Sequence, residues 1–130
     1  MHIDIKMEDC NWAYSIEDRL VFCIIPNTER AVLDFFEEEM CWPYPIRVSD
    51  AMRMPKHFTG MARCAPGDEW NLEVGKKIAY ARAKENYARS FDKHVQAGIK
   101  AMEKLMDNWQ ERSVNYRAKI YKNIERINYV

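Results

Sequence analysis

From Leu72 to Val130 the chain contains no proline, and Gly75 and Gly98 are the only glycines there. Proline and glycine are the residues that most disfavour a helix interior, so almost nothing interrupts a helix over this stretch. Apolar residues recur along it at Phe91, Val95, Gly98, Met102, Leu105, Trp109, Tyr116, Ile120, Ile124 and Ile127, mostly in steps of three and four. That spacing gathers them on one side and predicts the seam of a coiled coil or helical hairpin, with Arg112 the one polar intruder. A continuous helix over 72–128 would measure roughly 85 Å at its usual rise per residue. The remaining 70 or so residues make a head only about 25–30 Å across. The helix therefore either folds back near Gly98 or Asn108 or pairs with another copy. Self-association is the favoured expectation, through Phe91, Val95, Met102, Leu105, Trp109, Tyr116, Ile120 and Ile124.

The first 70 residues differ in kind. They hold all five prolines and two of the four glycines, so they must be short elements joined by turns. Arg19 to Ile25 is an apolar run ended by Pro26 and reads as a buried strand. The run Ala31 to Phe36 fits a strand or a helix through about Met40. A second strand is preferred, because three glutamates would sit badly at the negative end of a helix dipole. Trp42-Pro43-Tyr44-Pro45 reads as an extended connector, Ile46-Arg47-Val48 as the start of a strand, and Met54-Pro55-Lys56 as a turn. His57 to Cys64 alternates Phe58, Gly60, Ala62 and Cys64 against its other residues, as a strand does. The expected class is α+β: a small antiparallel sheet in a β-rich domain over 1–70, then a long amphipathic arm over 71–130. That arm is one helix, a helical hairpin or a coiled coil.

Charge divides along the same line. Residues 1–75 carry 7 Lys and Arg against 14 Asp and Glu, while residues 76–130 carry 13 against 6. Within the second half Arg82, Arg89, Lys93, Lys100 and Lys104 follow helical spacing on the side away from the apolar seam. Three readings compete for this stripe: a solvated face, a surface docking on the acidic half of a neighbouring subunit, or a binding face for a phosphate-bearing ligand. As ligand-binding candidates these five are the residues to follow. Nucleic acid is the less favoured ligand, since the acidic first half would repel a duplex.

Other function classes find little footing. The sequence holds no Walker loop, no dinucleotide-binding glycine motif, no H-E-x-x-H and no nucleophile elbow, so no enzyme is expected. Glu37 and Glu39 read as solvated carboxylates. The cysteines Cys10, Cys23, Cys41 and Cys64 are 13, 18 and 23 residues apart and form no C-x-x-C pair. With His2, His57 and His94 they complete no zinc spacing, although Cys41, His57 and Cys64 could meet in space. Reduced, buried thiols are the reading adopted, and neither metal nor cofactor is expected. No apolar run approaches the roughly 20 residues of a membrane span. The first ten residues lack the pattern of an export signal, so a cytoplasmic protein is expected.

One segment carries a resemblance. Phe58 to Ala83 reads F-T-G-M-A-R-C-A-P-G-D-E-W-N-L-E-V-G-K-K-I-A-Y-A-R-A. Here Asp68 or Asn71 would cap a helix, Trp70 would staple the turn, Gly75 would allow a strand to approach, and Ile78 and Ala79 would pack. This resembles a strand, P-x-D turn and helix found in small phage and prophage proteins of Firmicutes. More distantly it is similar to phage sponges of the Thoeris anti-defence kind, oligomers that bind cyclic nucleotide messengers without cleaving them. The resemblance implies a phage-encoded, homo-oligomeric binding protein acting in the host cytoplasm against a defence protein or a cyclic nucleotide messenger. The alternatives are a phage structural or assembly protein whose arm serves oligomerisation, and a nucleic-acid-binding accessory protein.

Overall fold

Seven residues, Leu20–Pro26, form the central strand β2 of a three-stranded antiparallel sheet. The computed structural model describes residues 4–40 and 49–128. Strand β1 (Asn11–Ser15) pairs with β2 on one side, with Trp12 opposite Cys23 and Tyr14 opposite Val21. Strand β3 (His57–Arg63) pairs on the other, with Gly60 opposite Cys23 and Ala62 opposite Val21. Because side chains alternate along a strand, Val21, Cys23 and Ile25 all point to one face, where they are buried. Leu20, Phe22 and Ile24 point to the other and remain half-buried.

Helix α3, Leu72–Asn128, is a single element of 57 residues. It neither folds back at Gly98 nor breaks at Asn108. Asn71 caps its start, accepting the Val74 backbone N–H at 3.2 Å. Its first turns lie on the buried sheet face through the small residues Gly75, Ala79 and Ala83, spaced one turn apart. A Cβ placed on Gly75 would be 2.8 Å from Val21 Cγ2, which is the close strand approach that a glycine so near a helix start demands. Ala79 and Ala83 are fully buried, and Trp70 packs on the same core. Ile78 was expected to pack with Ala79 but is 41% exposed, since it sits about 100° round the helix from the buried line.

The preference for a strand at Ala31–Phe36 is overturned: Ala31–Glu38 is helix α1. Asn27 adopts a positive φ of 59°, which turns the chain out of the sheet directly after Pro26. Thr28, itself buried, donates from Oγ1 to the Pro55 carbonyl at 2.6 Å and fixes the new direction. A helix then places Ala31, Val32 and Phe36 inward together, which alternation could not. The glutamates at its C-terminal end are exposed, where water screens the unfavourable dipole, and Glu37 lies 3.9 Å from Arg30. A short helix α2, Ser49–Met52, follows. The connector expected at 42–45 and the strand start expected at 46–48 lie outside the described residues. An aromatic group joins α1, β3 and α3: Phe35 meets Phe91 edge-on at 5.5 Å, and Phe58 meets Tyr87 at 5.6 Å.

Candidate functional site

A single apolar stripe runs along α3 and meets two different fates. At 100° per residue, Tyr87, Phe91, Val95, Gly98, Met102, Leu105, Trp109, Tyr116, Ile120 and Ile124 fall within an arc of about 100°. Up to Met102 that arc faces the head. Tyr87 and Gly98 are buried there, and Phe91, Val95 and Met102 pack on the core. A Cβ on Gly98 would lie 2.9 Å from Met52 Cε and 3.1 Å from Phe36 Cε2, so Gly98 is a packing contact and not a hinge. Beyond Met102 the head ends while the helix continues. Leu105 is half-buried, but Trp109 is 54% exposed, Tyr116 67%, Ile120 45% and Ile124 46%.

Of the expected interface residues, then, Phe91, Val95 and Met102 belong to the head's own core, Leu105 is half-buried just past it, and Trp109, Tyr116, Ile120 and Ile124 are exposed. Past Met102 the helix runs on for 26 residues, roughly 39 Å at its usual rise. Helices in proteins draw most of their stability from packing an apolar face, and this stretch is rich in β-branched and aromatic residues that gain little from propensity alone.

The basic stripe is placed as follows. Arg82 Nη1 donates to the Met61 carbonyl at 2.7 Å, and beside it Asn86 Nδ2 donates to the Thr59 carbonyl at 2.9 Å. Both acceptors lie on β3, an edge strand among the described residues, so these side chains occupy groups that would otherwise recruit another strand. Arg89 pairs with Glu85 one turn away. Lys93, Lys100 and Lys104 are exposed on the outer surface. None of the five lines the cleft of roughly 510 Å³ between the end of β2 and α1, whose rim carries Asp9, Asp34 and Glu38. Nor do they line the cleft of roughly 400 Å³ beside the turn into α3, which Arg63, Cys64, Asp68 and Trp70 help to form.

The core's titratable groups are held neutral. Burial pushes the Cys23 thiol up to about 12, reinforced by the neighbouring Cys10 thiol. Burial raises Cys10 as well and moves the Tyr87 hydroxyl up to about 12. A thiol must ionise to act as a nucleophile, so this pair serves packing at neutral pH. Cys64 is half-buried with Arg19 Nη2 3.0 Å from its sulfur; the same guanidinium also donates to the Ala65 and Asp68 carbonyls, which ties the turn before α3 to the start of β2. Among the described residues no three His, Cys, Asp or Glu side chains gather as a metal site would need, and no helix is long and apolar enough to cross a membrane.

Comparison with family models, with curated proteins and with solved structures returned no match.

Proposed function

We propose that this chain is a non-enzymatic assembly protein, a small α+β head presenting a helical arm that brings copies of the chain together. The observation that carries this reading is the change of fate at Met102. One stripe that is satisfied by the head on one side continues, with the same spacing and larger side chains, where the head no longer covers it. Sedimentation equilibrium on the full chain and on a chain ending after Lys104 tests the reading. The full chain is expected to associate with concentration. The shortened chain should remain monomeric and keep the urea midpoint of the head. A full chain that stays monomeric at every concentration would remove the reading.

A second reading is sequestration of a phosphate-bearing messenger during phage counter-defence in a host cytoplasm. It draws on the resemblance of the Phe58–Ala83 segment and on Lys93, Lys100 and Lys104, three exposed cations along one outer surface. Ammonium groups held in a row match a string of phosphates. A thermal-shift series against cyclic nucleotides tests it, because any ligand that prefers the folded chain raises the melting temperature. No shift with any member would leave assembly alone.

A further inference from the structure

We infer that the free half of α3 pairs with the same half of a second copy in antiparallel alignment, in the register that sets Leu105 level with Ile124 and Trp109 level with Ile120. The inference rests on the assembly reading above and adds its partner, direction and register. Three observations converge on it.

The first is the order of side chains along the stripe. Leu105, Trp109, Ser113, Tyr116, Ile120 and Ile124 follow one another at helical spacing, with Ser113 and not Arg112 falling inside the arc of the stripe. Reversed against itself in this register, the series matches Leu with Ile, Trp with Ile, and the small Ser113 with the large Tyr116. Each match occurs twice, about a two-fold axis between Val114 and Asn115, as a self-complementary interface requires. Trp109 is the largest exposed side chain on the arm and meets a branched aliphatic residue, so the core is filled by unlike shapes.

The second is extent. The head's own cover of the stripe ends at Met102. In this register the stretch 105–124 of one arm lies level with the same stretch of the other, so each arm covers the side chains that the other's head leaves exposed. A shift of four residues would instead set Leu105 level with Asn128, or Ile124 level with Ala101.

The third is charge. The part of the arm nearer the head carries Glu103, Asp107 and Glu111 against Lys104, and the outer part carries Arg112, Arg117, Lys119, Lys122 and Arg126 against Glu125. A parallel pair would set acid beside acid and base beside base along its whole length. The antiparallel pair sets the acidic part of each copy beside the basic part of the other, within the roughly 8 Å over which charges act at physiological salt. In this arrangement the two heads stand at opposite ends of a two-helix rod roughly 40 Å long.

Charge exchange separates the inference from the reading it rests on. One variant carries Glu103→Lys, Asp107→Lys and Glu111→Lys, a second carries Lys119→Glu, Lys122→Glu and Arg126→Glu, and a third carries all six. All six positions are exposed and lie beyond the head, so the head's urea midpoint serves as the control for folding. Sedimentation equilibrium at low salt should show each triple variant self-associating on the order of tenfold more weakly than wild type, from several surface pairs each turned from attraction to repulsion. The six-fold variant should return to within about threefold of wild type, because exchanging both parts restores opposite charges between antiparallel arms. In a parallel pair like charges face each other in all four proteins, and neither the loss nor the recovery would occur. Unchanged association in the triple variants, or no recovery in the third, would overturn the antiparallel register while leaving assembly intact. A wild-type chain that never associates would remove both.

Discussion

A Cβ atom placed on Gly60 would lie 2.1 Å from the Ala79 carbonyl oxygen and 2.3 Å from the Ala83 nitrogen. Strand and helix therefore meet backbone to backbone, and neither atom belongs to a side chain that could swing aside. Gly60→Ala must push the first turns of α3 off the sheet, which loosens Val21, Cys23 and Ala62 together. The expected loss is about 3 kcal/mol, at the upper end for overpacking. Gly67 is the internal control, since nothing lies within 4 Å of its added Cβ. Urea unfolding should show Gly67→Ala close to wild type and Gly60→Ala far below it.

The long helix was legible because what excludes a helix was missing from Leu72 onward. The close approach at Gly75 was legible for the converse reason, as a glycine early in a helix asks for a neighbour. Strand β3 showed in its alternation. Helix α1 did not show, because its direction is set by the positive φ of Asn27 and the Thr28 hydrogen bond to Pro55, neither of which leaves a periodicity. Strand β1 was passed over altogether: it is a five-residue edge with polar ends and only Trp12 and Tyr14 to signal its inner face. The division of the stripe at Met102 could not be read from spacing, which is the same on both sides. What changes there is the presence of the head, and that depends on where α1 and α2 pack.

Arg82 separates a structural from a ligand-binding role for the basic stripe. Its hydrogen bond to the Met61 carbonyl covers an edge strand, so Arg82→Ala should destabilise the head by about 1 kcal/mol, the usual net worth of such a bond. Lys93→Ala, at an exposed position, should leave the urea midpoint unchanged within error. If both substitutions left stability untouched, the Arg82 contact would be dispensable and the residue available to a ligand.

Alkaline pH should weaken the head before it affects anything else. Cys23 rises from 9.0 to about 12 on folding, and Tyr87 from 10.0 to about 12. Between these limits the unfolded chain releases protons that the folded chain keeps, so unfolding gains and stability falls as pH rises. The contribution is complete below about pH 9 and is lost toward pH 12. The urea midpoint is therefore expected to be flat from pH 7 to 9 and to decline steadily above it. Alkylation followed by peptide mapping at pH 8 should find Cys10 and Cys23 modified only as fast as the head unfolds. Rapid labelling of either would contradict the burial that raises them.

Arg112 gives the antiparallel register a single-residue test. In that register it falls level with Arg117 of the other copy, twice by symmetry, the one like-charge meeting in an otherwise complementary pair. Arg112 is exposed and lies beyond the head, so changing it should leave the head alone. Arg112→Glu turns both meetings from repulsion into attraction and is expected to tighten self-association by roughly tenfold at low salt, each reversed pair contributing about 0.5–1 kcal/mol. The gain should shrink as salt is raised, because the charges are exposed. In a parallel pair residue 112 would face its own copy, and glutamate would only replace one repulsion with another. Sedimentation equilibrium of Arg112→Glu at two salt concentrations reads the difference directly: tighter at low salt supports the register, and no change at either removes it.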